Sequence, residues 1–146
     1  MSRPSRATVL FTVLFAAALA ATVLVLGSRT TELVLEVTRL PKSFTPNGDD
    51  YRDKAEIRFL VRVDEPAADV LVVGRDLEPI RTLGEDVALR RNEPVTYLWD
   101  ARTDAGRPAP VGRYRLRVIL PSHDRDMVWP RRVDLERPPP RDGTGG

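Results

Sequence analysis

The densest group of potential ligand atoms is Asn47, Asp49, Asp50 and Asp53, which puts several oxygens within seven residues. Hard cations such as calcium favour clustered carboxylates and carbonyls, so a calcium loop is one reading. However, Tyr51 stands where a third alternating ligand belongs, and no later Glu closes the loop. The alternative is a turn in which side-chain oxygens bind nearby backbone N–H groups, with Asn47 and Gly48 in unusual backbone conformations. The spacing favours the turn, and no metal is expected.

Ser122, His123 and Asp124 are the three residue types of a hydrolytic triad. Adjacent residues of an extended or turn segment point in different directions and cannot relay a proton. His123 is the only histidine and there is no cysteine, so His-based and thiolate zinc sites and a Cys nucleophile are excluded. Trp99 and Asp100 could border a ligand site. The structural alternative, a core tryptophan followed by an Asp that caps a turn, is preferred, and Tyr114 likewise reads as core. Arg58, Arg62, Arg113, Arg115 and Arg117 could share the exposed faces of neighbouring strands and meet anionic lipid or an acidic partner. The alternative is a solvated face paired with Asp and Glu. No catalytic, metal-binding or cofactor-binding residues are assigned, and no cofactor is expected.

The elements holding these residues follow from patterning. The formal net charge of the 146-residue chain is +2. Two of its 23 basic residues, Arg3 and Arg6, precede an apolar run, which leaves 21 basic against 21 acidic residues beyond it. The main domain therefore has no net positive field for nucleic acid.

Residues 7–28 carry no charge and are rich in Leu, Val, Ala and Phe. A helix of about 20 such residues spans the roughly 30 Å hydrocarbon layer. Arg3 and Arg6 place residues 1–6 in the cytoplasm, with Arg29 competing, and the remainder outside. The expected localisation is the cell membrane, single-pass, with membrane lipid contacted through this helix. Ala18-Leu19-Ala20 offers the alternative of a signal-peptide cleavage site, but the apolar run continues past it through Leu26.

From Glu32 onward the apolar period becomes two. Strands are expected at Leu33, Leu35 and Val37, and at Ile57, Phe59, Val61 and Val63. Val70–Val73 reads as a central strand, followed by Ile80–Leu83, Val87–Leu89 and Val95–Trp99. Tyr114, Leu116, Val118 and Leu120 form the clearest amphipathic strand. Val128–Leu135 is the last, pushed to an edge or bulge by Pro130. The expectation is an all-β immunoglobulin-like β-sandwich of about 7–8 strands over residues 32–136, preceded by one transmembrane helix. Residues 137–146, rich in Pro and Gly, read as a disordered tail.

Three blocks resemble the FlgD-type immunoglobulin-like domain of flagellar hook-capping proteins. They are Phe44-Thr45-Pro46-Asn47-Gly48-Asp49-Asp50 with Asp53; Val70 to Leu83, ending Ile80-Arg81-Thr82-Leu83; and Trp99-Asp100-Ala101-Arg102-Thr103-Asp104-Ala105-Gly106 followed by Pro110-Val111-Gly112-Arg113-Tyr114. Asp50 and Ala101 replace family glycines, and Glu78 stands where a turn glycine is common. The resemblance implies the sandwich architecture and a structural or adhesive role, without flagellar function. The functional expectation is a non-enzymatic, membrane-anchored extracytoplasmic module that binds another envelope or membrane protein within a bacterial cell-envelope assembly. The alternative is a secreted adhesion or matrix domain released by cleavage.

Overall fold

A computed structural model describes residues 34–137. The expected membrane span 7–28, and all of the expected tail except Arg137, lie outside the described residues. Among the described residues no helix is long and apolar enough to cross a membrane.

Alternating patterns set the strands. β1 is Leu35–Arg39, β2 Ser43–Phe44, β3 Ala55–Val61, β4 Glu65–Val73 and β5 Pro79–Leu89; β6 is Val95–Trp99, β7 Gly112–Leu120, β8 Arg125–Val128 and β9 Val133–Leu135. A 3-10 turn at Pro121–His123 links β7 to β8. One sheet has the order β1-β3-β6; the other has β2-β9-β7-β4-β5, with β8 also beside β7. This is a two-sheet, sandwich-like all-β fold.

In β3, Ala55, Ile57, Phe59 and Val61 are buried, and in β7 so are Tyr114, Leu116, Val118 and Leu120. Period-two side chains on the two sheets thus supply a single core. β4 hydrogen-bonds on both edges, to β5 and β7, as its unbroken apolar run requires.

Three elements differ from expectation. The segments expected as Ile80–Leu83 and Val87–Leu89 are one strand, β5. Its register against β4 shifts at several points, and Asp86 takes φ 51°. Such irregularities break the alternation that marks a strand in sequence. At Gly84 a side chain would meet the Tyr97 hydroxyl at 2.7 Å, so the missing Cβ lets β6 approach β5.

The segment Val128–Leu135 is two strands. Proline has no N–H to donate at position 130, so the ladder stops and resumes. β8 lies along Arg117–Leu120, and β9 along Gly112–Tyr114. Sequence patterning also misses β2, which pairs in parallel with β9. Two residues are too few to show a period, yet they carry the chain from one sheet to the other and bury Phe44.

The strand directions define two ends. β1 begins opposite the end of β3, with Leu35 facing Val61, so the chain enters there. The far end carries the loops β2–β3, β4–β5 and β6–β7, and the chain leaves β9 beside Gly112.

Candidate functional site

The far end collects the residues with the most chemistry. Trp99, at the end of β6, is 1% exposed. Its ring centroid lies 5.3 Å from that of Phe44 and 4.9 Å from that of Tyr114, the latter edge-on. Phe44 and Tyr114 belong to the opposite sheet, so this aromatic cluster joins the two sheets without a disulfide. Each polar ring atom has a partner: Trp99 Nε1 donates to the Arg102 carbonyl at 3.0 Å, and the Tyr114 hydroxyl to the Pro110 carbonyl.

The β2–β3 loop organises around Asp53. Its Oδ1 accepts the N–H groups of Asn47 at 2.8 Å and Gly48 at 3.1 Å, and its Oδ2 that of Asp50 at 2.8 Å. Asp49 accepts from the Tyr51 N–H and the Asn47 amide, and Asn47 Oδ1 from the Asp49 N–H. The Asn47 donor above all, then those of Asp50 and Gly48 and the charge of Lys54, hold the Asp53 carboxyl below the usual range against partial desolvation. Both Asp53 oxygens face the loop's own backbone, as the turn reading requires. One detail differs: Gly48, Asp50 and Arg52 take positive φ of 78°, 63° and 56°, whereas Asn47 does not.

The β6–β7 loop closes in the same manner. Asp100 accepts the Arg102 N–H at 3.2 Å and so caps the turn, while Ala101 takes φ 60°. The Ala109 N–H donates to the Ala101 carbonyl at 2.7 Å and the Thr103 N–H to Arg107 at 2.8 Å. Asp104 then docks this loop on the free edge of β5. Its N–H donates to the Ile80 carbonyl at 3.0 Å, and its carboxylate accepts the Thr82 N–H at 2.8 Å and hydroxyl at 2.9 Å. An edge strand is thereby covered. Asp104 carries no local signal for this role beyond its place in the third motif block, because its partner Thr82 is 22 residues away and Ile80 lies farther still.

At the entry end, His123 Nδ1 lies 3.2 Å from Glu65 Oε2, not in a relay with Ser122 and Asp124. Asp124 closes the 3-10 turn with φ 50° and donates its N–H to the Pro121 carbonyl. Sequence reasoning missed Glu65, which is 1% exposed. Its carboxylate also accepts the N–H groups of Ser122 at 3.1 Å and Ala67 at 3.2 Å. Burial pushes this carboxyl up, but the bonds from His123, Ser122 and Ala67 outweigh burial and hold it below the ordinary 4.5. The only sequence signal is a Glu between Asp64 and Pro66, which reads as an exposed bend.

The five arginines expected on neighbouring strands divide between the sheets. Arg58 on β3 pairs with Glu56 at 3.2 Å and Thr96 at 3.1 Å, and Arg62 just after β3 with Glu36 and Asn92. On β7, in the other sheet, Arg113 lies 3.7 Å from Asp134, and Arg117 grips Asp126 with two bonds of 2.8 and 2.6 Å. There is no shared stripe. The paired, solvated reading holds for four of them, and Arg115 has no carboxylate among the described residues within 4.0 Å.

Among the described residues, no group of three or more His, Asp or Glu is arranged to hold a metal ion. A groove of about 730 Å³ opens at the far end between the β4–β5 turn and the start of β7, with Arg75, Arg115 and Arg132 on its walls. A shallower one of about 440 Å³ lies beside it at Ile80, Thr103 and Asp104. Neither reaches His123. No family model matches the chain, and no curated protein shows significant similarity to it.

Proposed function

We propose that this chain is a membrane-anchored, extracytoplasmic immunoglobulin-like module of the FlgD type, a non-enzymatic structural or protein-interaction subunit of a bacterial cell-envelope assembly. One observation carries the reading: the three sequence blocks that resemble the family interlock at the far end. Phe44 of the first block packs on Trp99 of the third, which also packs on Tyr114. Thr82 of the second bonds to Asp104 of the third. Residues far apart in sequence that meet through their motif atoms support a common architecture rather than chance matches.

The interaction role follows from what those polar groups do. Both oxygens of Asp53 and of Asp104, and one of Asp100, accept from backbone or hydroxyl donors of the fold itself. A general base or nucleophile needs a free atom beside a substrate cavity. Loops held rigidly on a two-sheet frame suit recognition instead.

Two experiments test the reading. Co-purification from native membrane with mass spectrometry should return a reproducible envelope or membrane protein; recovery of the chain alone in stoichiometric purity counts against an assembly subunit. N-terminal sequencing of the mature protein should recover Met1. A start near Ala21 would replace the anchor with the secreted alternative.

A further inference from the structure

We infer that the far-end groove binds an extended acidic segment of a partner protein, with Arg75, Arg115 and Arg132 as its carboxylate-gripping residues. The inference rests on the interaction reading above and says which surface makes the contact.

Four guanidinium groups line this groove, those of Arg75, Arg113, Arg115 and Arg132, against two carboxylates, those of Asp76 and Glu78. One of these carboxylates is already engaged. Glu78 Oε2 accepts the Asp76 N–H at 2.9 Å inside the β4–β5 turn, and that carboxylate sits beside Gly74, whose missing side chain leaves room for it. Arg113 is drawn toward Asp134. The remaining three, Arg75, Arg115 and Arg132, have no carboxylate of the described residues within 4.0 Å. Of the other strand arginines, Arg39, Arg58, Arg81 and Arg117 each have one, whereas Arg125 on β8 has none. A guanidinium presents a planar fork that matches a carboxylate with two parallel bonds. Three unpaired forks around one groove can hold a run of acidic side chains.

The shape and the apolar residues point to a peptide rather than a lone anion. A volume of about 730 Å³ is far larger than a single carboxylate or phosphate fills, and falls in the range of sites that enclose larger ligands. Val111 on its wall is 55% exposed, and Leu77 of the adjoining turn 40%. Tyr51, on another loop of the same end, is 70% exposed. Exposed Tyr and Arg with aliphatic neighbours are the residue types enriched in protein interfaces.

The test uses the full chain in neutral detergent and a fluorescent peptide that alternates Asp with Leu, with an Asn-for-Asp peptide as control. Anisotropy titration should show the acidic peptide binding at least about tenfold more tightly, equivalent to about 1.4 kcal/mol. Added salt should weaken it, because rim charges are screened. Arg75→Gln with Arg132→Gln, both exposed positions, should lose most of that preference. Arg58→Gln with Arg62→Gln, on the other sheet, should retain it. If the neutral pair does not fold, Arg75→Lys with Arg132→Lys keeps the charge and removes the fork, and should still weaken binding by at least about threefold.

Each of these results would overturn the inference: equal binding of the Asn peptide, an equal loss in the Arg58/Arg62 variant, unchanged binding in the Lys pair, or displacement of the peptide by inorganic phosphate at matched ionic strength. Loss of peptide binding on moving the chain from phosphatidylcholine to phosphatidylglycerol vesicles would assign the groove to lipid and also overturn it. A native partner that persists with the Arg75/Arg132 variant removes the groove and leaves the interaction reading standing. The absence of any partner for the unaltered chain removes that reading itself.

Discussion

Asp53 at the far end and Glu65 at the entry end perform the same task under opposite conditions. Each carboxylate gathers donors from a turn and is held below its usual range by them. The donors of Asp53 are backbone groups three to six residues away. Two of the Glu65 donors are 57 and 58 residues away, on the turn between β7 and β8. Asp53 remains partly in water, whereas the Glu65 side chain is wholly enclosed. A local carboxylate shapes its own loop; a buried distant one fastens two parts of the fold, and its removal leaves buried donors unpaired. The far end adds the Trp99 cluster, in which three aromatic rings from both sheets pack beside the polar turns.

The comparison is most severely tested by Trp99→Ala. Removing a fully buried indole between two aromatic rings should cost about 3–5 kcal/mol, a large part of the stability of a domain this size. Urea titration measures it. A wild-type midpoint with loss of a co-purifying partner would make Trp99 an interface residue and the aromatic cluster dispensable.

Glu65→Ala should cost less, about 1–3 kcal/mol, by stranding the Ser122 and Ala67 N–H groups and His123. Its pH dependence has a definite sign. The folded carboxyl titrates below the unfolded value near 4.5, so its contribution is present above that pH and is lost as pH falls through the lower folded value. The Glu65→Gln variant should therefore show a shallower loss of stability in acid than the wild type. An unchanged acid limb, measured by thermal unfolding at stepped pH, would mean that Asp53 and Asp126, both also held low, carry the whole effect.

Two glycine replacements sharpen the far-end half. Asp50 and Ala101 occupy left-handed backbone at φ 63° and 60°, where the resembling family has glycine. Asp50 is exposed, so Asp50→Gly should relieve strain and raise stability by about 0.5–1 kcal/mol. Ala101 is 4% exposed, and losing its buried methyl, worth roughly 0.8 kcal/mol, should cancel the same gain. Equal effects at both sites in parallel denaturant titrations would show that local strain does not govern these turns.

The smallest effect is expected from calcium. Because the Asp53 oxygens already hold backbone donors, calcium followed by excess chelator should leave the melting temperature of the full chain nearly unchanged. A shift above about 5 °C, of order 1 kcal/mol, would restore the cation reading of the β2–β3 loop.

What could be read from the sequence tracks the distance between interacting residues. β3, β6 and β7 were legible because an alternating face repeats within a single strand. The burial of Trp99 and the capping by Asp100 were legible too, the first from the strand's face and the second from a contact two residues long. β2 was not, because its two residues acquire a partner only when β9 arrives. Nor was the unity of β5, whose bulges erase the period, or the division of Val128–Leu135 along two stretches of β7.

The chain by itself determined the all-β character, the core faces of the regular strands and the inward-tied loop at Asp53, since each depends on neighbours within a few residues. Only the tertiary structure decided which arginines have partners, that Asp104 closes the edge of β5, and that Glu65 is buried beside His123. Those outcomes depend on which segments meet, and the pairing of strands distant in sequence is specified by the whole core rather than by any local pattern.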